Sequence, residues 1–381
     1  MDLSFTAEQL ALRSEIVKFA RQELNAELAE HDRAQRFPRE NWLKCAQFGI
    51  QGLPFPREVG GSAADIVTTM LAMEGLGYGC RDSGLIFAIN AQMWAVQTPI
   101  WLFGTEEQRH RYLPKLCSGE WIGAHGMTEP GSGSDSSALA TTAVRRSDRW
   151  ILNGSKTFVT NAPVADLFVV FATTDPKLGF MGVTGFLVER DAPGLQVGKP
   201  IEKMGLKTSP MAELVLEDCE IPLEGLLGRE GAGAKIFASS MEWERGCLLA
   251  SYLGAMERQL ETCVEYARSR KQFNRPIGKF QSVANKLVDM KVRMETSRLI
   301  LYKVGWLKSE RQEAVMDAAI AKLYLSECWV QSCLDAIQIH GGYGFMTEYE
   351  LERDLRDSVA GRIYSGTSEI QRNIIAARLG L

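Results

Sequence analysis

The spacing of hydrophobic positions changes twice along the chain. Up to about residue 120 it is helical. Thr6-Ala7-Glu8-Gln9 reads as a capping box that opens a first helix, with Phe5 and Leu10 as its hydrophobic staple. Leu10, Ile16, Phe19 and Ala20 then fall near one face, interrupted by Arg13. "AADIVTTMLAMEGLGYG" and "TEEQRHRYLPKLCSGE" continue as helical segments with Gly or Pro stops. Near Trp121 the pattern becomes strand-like. "RWILNGSKTFVT" carries Asn153-Gly154 between two β-prone runs, which predicts a hairpin, and "DLFVVFATT", "TGFLVERD" and "AELVLEDCEIP" predict further strands. After the Gly-rich break "GREGAGA", Leu249, Leu253, Met256, Leu260, Val264 and Ala267 return to a 4-3-4-4-3 spacing, one face of a helix. Two more long helical segments follow, joined by short loops, and predict a bundle. The expected fold is therefore mainly α with a central β domain: residues 1–120 helical, 121–230 a β sandwich or barrel, 231–381 a helical bundle. No internal repeat or low-complexity linker interrupts this order.

Composition narrows the classes. The chain has 381 residues, 45% of them hydrophobic and 24% charged, with a net charge of −4 and no long basic block, which sets nucleic acid aside. Eight cysteines form no C-x-x-C and four scattered histidines form no metal-like cluster, so no metal site is expected and reduced thiols in a cytoplasmic protein are the simpler reading. "MDLSFTAEQLALRSEI" lacks the features of a signal peptide, and the longest apolar runs, such as "ADLFVVFA" (165–172), are too short to span a membrane.

Four stretches bear candidate chemistry. "MTEPGSGSD" (127–135) is a polar, Gly-rich loop that reads either as a plain connection or as a place where backbone N–H groups approach a ligand. "SRKQFNRPIGKFQ" (269–281) is a basic, aromatic loop or a solvated face. "QIHGGYGF" (338–345) is a glycine C-cap that would equally suit close approach to a ligand. "IYSGTSEIQRNIIAARLGL" (363–381) is a turn followed by a helix with Ser368 as its N-cap. To these is added "ASSMEWERGCLLAS" (238–251), in which Glu242, Glu244 and Arg245 precede an apolar helical stretch. Ser239-Ser240-Met241-Glu242 fits a capping box and accounts for Glu242 as a helix start, but not for Glu244.

Taken together and in this order, the motifs resemble the acyl-CoA dehydrogenase family from end to end. The resemblance implies a helical N-terminal domain, a central β domain and a C-terminal four-helix bundle. FAD would lie between the β domain and the bundle, completed by a neighbouring subunit of a homotetramer. Carried over by position, Met127, Thr128 and Ser134 would face the flavin, the FAD pyrophosphate or the substrate's pantetheine. Phe158, where the family often has Trp, and Thr160 would flank the flavin. Arg270, Gln272 and Phe273, with Gln338 and Gly342, would hold the pyrophosphate and adenosine from the partner side. Thr367 and Glu369 would bind FAD near the C-terminus.

The reaction implied is α,β-dehydrogenation of an acyl thioester. It needs a carboxylate base, and hydrogen bonds to the thioester carbonyl to stabilise the developing enolate. In the family these bonds come from the FAD ribityl 2′-hydroxyl and a backbone N–H beside the C-terminal catalytic position. Many members place the base directly before "GT" in that motif, but here the residues are Tyr364-Ser365-Gly366-Thr367. A subset of the family places the glutamate on the bundle helix immediately before an arginine, which assigns Glu244 as the base. Arg245, Ser134, Tyr364 and Ser365 would then contact substrate, Arg245 by positioning the pantetheine arm or by supporting the helix. Such a base suits branched or cyclic acyl groups. The whole-chain character is similar to the branch that oxidises prolyl groups tethered to an acyl or peptidyl carrier protein. A short- or branched-chain acyl-CoA dehydrogenase passing electrons to electron-transfer flavoprotein, a non-catalytic flavin-binding scaffold subunit, and an oxidase or monooxygenase relative are the alternatives. Arg145, Arg146 and Arg149 are candidates for a basic rim facing an acidic carrier protein, or are ordinary surface charge.

Overall fold

A computed structural model of the chain describes residues 4–381; the first three residues of the N-terminal stretch lie outside the described residues. Seven helices come first: α1 (Ala7–Glu23), α2 (Leu28–Ala34), α3 (Arg39–Phe48), α4 (Ile66–Gly79), α5 (Ser83–Gln92), α6 (Thr98–Phe103) and α7 (Glu106–Cys117), with one π-helical turn, Met93–Gln97, between α5 and α6. The capping box of α1 forms as expected, with Gln9 N–H donating to Thr6 Oγ1 at 3.2 Å and Thr6 N–H to Gln9 Oε1 at 2.9 Å. The staple does not: Leu10 is exposed, and Phe5 packs edge-on against Tyr302 of the bundle at 5.1 Å between ring centres. A tertiary aromatic contact has replaced the local one.

The central domain is built on one eight-stranded sheet of β1 (Gly123–Gly126), β2 (Thr142–Arg145), β3 (Arg149–Thr160), β4 (Leu167–Thr173), β5 (Val183–Glu189), β6 (Leu195–Val197), β7 (Met211–Pro222) and β8 (Leu226–Leu227). The strands run β6-β7-β3-β2-β4-β5-β8, with β1 parallel to β4. Every residue of β4 is buried, as a continuous apolar run between covered faces requires. Asn153-Gly154 is not a turn. It lies inside β3 at a bulge against β7, and the β2–β3 connection falls at 146–148. Gly154 is needed there because a Cβ would come within 2.5 Å of Thr141 Oγ1. Asn153 is held by hydrogen bonds with Asp218 at 2.8 and 3.0 Å. The crowding of two strands outweighs local turn chemistry.

Six helices complete the chain: α8 (Gly233–Cys247), α9 (Ala250–Ser269), α10 (Gln281–Ser309), α11 (Val315–His340), α12 (Leu351–Ala360) and α13 (Ser368–Arg378). Between α9 and α10 a small hairpin pairs β9 (Lys271–Gln272) with β10 (Arg275–Pro276). Helix α11 packs against α8, α9, α10, α12 and α13. Helix α4 crosses α9 closely because Gly77 and Gly254 lack a Cβ, which would collide with the Ser251 and Glu74 carbonyls respectively. Glu74 of α4 also binds Arg298 at 2.9 Å and the Tyr302 hydroxyl at 2.8 Å on α10, tying the N-terminal helices to the bundle. Helix α8 begins six residues before the expected capping box, so Ser239 to Glu242 are mid-helix and Ala232 is the N-cap, without a side-chain cap. The cap of α13 is Thr367, whose hydroxyl accepts from Ile370 N–H at 3.3 Å; Ser368 is the first helical residue.

Candidate active site

Helix α8 turns Glu244 inward, where it is 7% exposed, while its neighbours serve other contacts. Glu242 pairs with Lys308 of α10 at 2.8 Å, and the Lys308 ammonium lies 4.0 Å from the Trp243 ring centre. The two acids are thus separated by function: Glu242 is a structural ion pair. Burial pushes the Glu244 carboxyl above the usual carboxylate range, opposed by a hydrogen bond from Ser365 and by the charges of Arg245 and Lys322. Ser365 Oγ donates to Glu244 Oε1 at 2.6 Å, and no hydrogen bond among the described residues occupies Oε2. A buried carboxylate with one oxygen fixed and one free is suited to taking a proton.

Ser365 reaches Glu244 because its backbone is left-handed, φ 54°, followed by Gly366 at 88°. A non-glycine residue in this region is strained and persists only if its surroundings hold it. Here Arg245 Nε and Gln371 Nε2 donate to the Ser365 carbonyl at 2.7 and 3.2 Å. Gln371 Nε2 and Lys322 Nζ donate to the Gly366 carbonyl at 2.8 and 2.7 Å. Arg245 therefore braces the loop that presents Ser365. Tyr364 packs its ring on Phe87 at 4.7 Å and its hydroxyl lies 2.9 Å from that of Tyr252. Glu244, Arg245, Tyr364 and Ser365 thus form one cluster. Thr367 and Glu369 begin the helix that follows it, Thr367 by capping and Glu369 on an exposed first turn.

A second group lies on the β domain. Met127 is buried, Thr128 half-buried, and Ser134 exposed on a loop whose Gly131 has no heavy atom within 4 Å of a would-be Cβ. The loop is anchored from beneath by Glu129, which takes Lys156 Nζ at 2.6 Å and the N–H groups of Ala140 and Thr141 at 2.6 and 3.0 Å. Burial lowers the Lys156 ammonium to about 8, against the pull of Glu129, which still leaves the pair ionised near neutrality. A register shift between Lys156 and Val159 swings Phe158 outward at φ 55°, 60% exposed, with Thr160 half-buried two residues on. An exposed aromatic ring in strained backbone beside an open glycine loop fits a flat ligand.

The third group is Arg270, Gln272 and Phe273 on the β9–β10 hairpin, with Gln338, Gly341 and Gly342 at the end of α11. Phe273 is 87% exposed in left-handed backbone, and Gln338 is exposed on the last turn of α11. Arg270 lies over the Tyr343 ring at 5.4 Å. A cavity of about 430 Å³ opens between Tyr266, Arg270, Gln272, His340, Gly342 and Met346. Gly341 and Gly342 have nothing within 4 Å of a would-be Cβ, so their backbone is open to a ligand. No hydrogen bond, ion pair or ring contact among the described residues links this group to the other two. The structural residues Glu129, Lys156, Lys322, Gln371 and Tyr252 were not singled out from sequence. Lys322, alone in an otherwise apolar run "AAIAKLYL", was the one legible signal.

The geometry defines an α-β-α protein with a buried carboxylate between α8 and the loop before α13. Comparison with known proteins extends this. The acyl-CoA dehydrogenase N-terminal, middle and C-terminal domains match residues 6–120, 124–219 and 231–380. The chain belongs to the acyl-CoA dehydrogenase family. It is 42% identical over 382 residues, covering all of both chains, to an L-prolyl-[peptidyl-carrier protein] dehydrogenase of Pseudomonas fluorescens. Among solved structures, the prolyl acyl carrier protein oxidase AnaB is similar at 53% identity and a TM-score of 0.98, over 99% of this chain and 100% of that one. PigA, solved with FAD and proline, is similar at 42% identity and a TM-score of 0.98 over both full chains. Among the described residues no helix is long and apolar enough to cross a membrane, and no cluster of three or more potential metal ligands occurs.

Proposed function

We propose that this chain is an FAD-dependent dehydrogenase that introduces a double bond between the α and β carbons of an L-prolyl group held as a thioester on a peptidyl carrier protein, giving a pyrroline thioester, or a pyrrole thioester where a second two-electron oxidation follows. The observation that carries the reading is Glu244: buried, fixed through one oxygen by Ser365, and free at the other. The whole-chain likeness to proteins named for prolyl carrier-protein oxidation supports the substrate class.

The residues present fit FAD. Thr128, Ser134, Phe158 and Thr160, beside Met127, offer a polar glycine loop and an exposed ring for the flavin. Arg270, Gln272, Phe273, Gln338 and Gly342 offer a cation and open backbone for a pyrophosphate and adenosine. No contact among the described residues links the latter group to the former; in this reading a neighbouring subunit of a homotetramer would complete each site. Thr367 and Glu369 stand at the N-terminus of α13 beside the Ser365 loop, on the cofactor's side in this reading. FAD, when bound, supplies the acceptor for the β-hydrogen, which leaves as hydride.

Glu244 takes the α-proton through its free oxygen. Burial keeps its proton affinity high, and the Ser365 hydroxyl keeps it from being neutralised. Arg245, Gln371 and Lys322 hold the loop so that Glu244 and Ser365 stay in register. The substrate reaches the site on the carrier protein's phosphopantetheine arm. Arg149 is committed to Asp148 and Glu220, so among the three arginines of the suggested basic rim it contributes least. A cytoplasmic location accords with the eight buried, free cysteines.

Anaerobic mixing tests the reading. The yellow holoenzyme should be bleached by prolyl-loaded carrier protein and not by isovaleryl-, butyryl- or octanoyl-CoA. Readmitting air then tells whether oxygen serves as acceptor. Glu244→Gln should retain FAD and lose bleaching by several orders of magnitude, whereas Glu242→Gln should bleach at close to the wild-type rate. Bleaching by a CoA ester alone would move the protein to acyl-CoA catabolism.

A further inference from the structure

One turn beyond Glu244, where Leu248 N–H donates to the Glu244 carbonyl at 3.0 Å, a small cavity lies between α4, α5 and α9. It is lined in part by Ile86, Phe87, Leu248 and Tyr252, with Ser83 and Ser251 as its other hydroxyls. The Ser251 hydroxyl is spent on the Leu248 carbonyl at 3.2 Å. Tyr252 is 5% exposed and fixed by packing near Trp329, 6.1 Å between ring centres. Its hydroxyl meets that of Tyr364, the residue next to Ser365, at 2.9 Å. Phe87 closes the other side of Tyr364. The two hydroxyls are thus at the edge of a mostly apolar wall, and its Tyr364 end adjoins the Ser365 loop that holds Glu244.

Two hydroxyls carry two hydrogens, and one is used between them. No acceptor among the described residues takes the other. Burial raises the pKa of both phenols above its ordinary value, so both keep their hydrogens near neutrality. A buried donor without a partner carries a desolvation cost that an arriving acceptor removes.

We infer that the Tyr252–Tyr364 hydroxyl pair recognises the ring nitrogen of the acyl group, donating its spare hydrogen to the lone pair of a neutral secondary amine. This rests on the prolyl reading above and deepens it. Tyr252 is the specificity residue and Tyr364 its partner. A ring carbon in the same place offers no lone pair and leaves the donor buried and unpaired. The wall therefore separates a prolyl group from a carbocycle of the same size, where a purely apolar pocket discriminates weakly between isosteres.

The test compares carrier protein loaded with L-prolyl and with cyclopentanecarbonyl, read as anaerobic bleaching of the holoenzyme over a series of carrier concentrations. Wild type should favour prolyl, and Tyr252→Phe should reduce the prolyl-to-cyclopentanecarbonyl ratio of kcat/KM by about tenfold or more. Because the two probes share the ring size and the carrier, damage to folding or flavin content lowers both and leaves the ratio alone. An unchanged ratio in Tyr252→Phe overturns the tyrosine assignment while leaving the prolyl reading intact. Failure of prolyl-loaded carrier to bleach wild type overturns the prolyl reading and this inference with it.

Discussion

Replacing Ser365 by alanine isolates the hydrogen bond that ties the C-terminal loop to Glu244, the proposed base. The hydroxyl donates to Glu244 Oε1 at 2.6 Å, and it is the largest of the influences that offset burial of that carboxyl. It stabilises the charged form, so its removal raises the Glu244 pKa further. A hydrogen bond to a charged group contributes about 1.5–3 kcal/mol, and one pKa unit corresponds to about 1.4 kcal/mol. The expected rise is therefore roughly one to two units. The base must be ionised to act, so activity is lost as pH falls through its pKa. In Ser365→Ala the acid limb of the kcat/KM profile should move to higher pH by that amount, and at pH values well above the new limb the rate should approach wild type. The assay is the pH dependence of thioester-driven flavin bleaching at low substrate, which reports the free enzyme. Because alanine keeps the Cβ and the left-handed turn, a loss of activity at every pH with an unmoved acid limb would refute the reasoning and make Ser365 a contributor to loop geometry alone.

Other perturbations probe the supports. Glu129→Gln leaves the fully buried Lys156 without its counter-charge, and breaking such a pair costs about 3–5 kcal/mol; chemical denaturation should show the loss, and gel filtration should show flavin released more readily. Arg270→Ala should lower FAD retained after dialysis while leaving the melting temperature of the apoprotein near wild type, since the guanidinium's ring contact with Tyr343 lies at an open cavity. Gly77→Ala drives a methyl into the Ser251 carbonyl at the α4–α9 crossing and should destabilise the fold by about 1–3 kcal/mol, the usual cost of overpacking, with a lowered thermal midpoint as readout.

The α-β-α order was legible because it depends on local period: the face from Leu249 to Ala267 and the run from Leu167 to Thr173 each encode burial within a few residues. The errors arose where local chemistry met tertiary demand. Asn153-Gly154 has the best two-residue hairpin signal in the chain, yet the strand continues through it because Gly154 is needed beneath Thr141. Ser239 to Glu242 spell a helix start, but a helix already begun at Gly233 leaves them no free N–H groups to cap. The site was legible only in part for the same reason. Glu244 stood out by its neighbour Arg245 and by family likeness. Its partner Ser365 is 121 residues away, and the brace from Lys322 to Gly366 spans 44, separations over which no periodicity speaks.

That long-range pairing gives a reason for a serine at position 365. A carboxylate at position 365, where many family members carry their base, would place a second negative charge within hydrogen-bond distance of Glu244. Two carboxylates at that separation cannot both ionise at ordinary cost, and one would be held protonated. A serine there does the reverse: it donates to the charged form and opposes the burial that would neutralise it. The loop must still be left-handed to reach α8, and Arg245, immediately after the base on the same helix, supplies the hydrogen bond that holds it so. Proposed base, brace and donor are thus one unit written in two distant stretches of sequence, and each residue type is intelligible only in the presence of the other two.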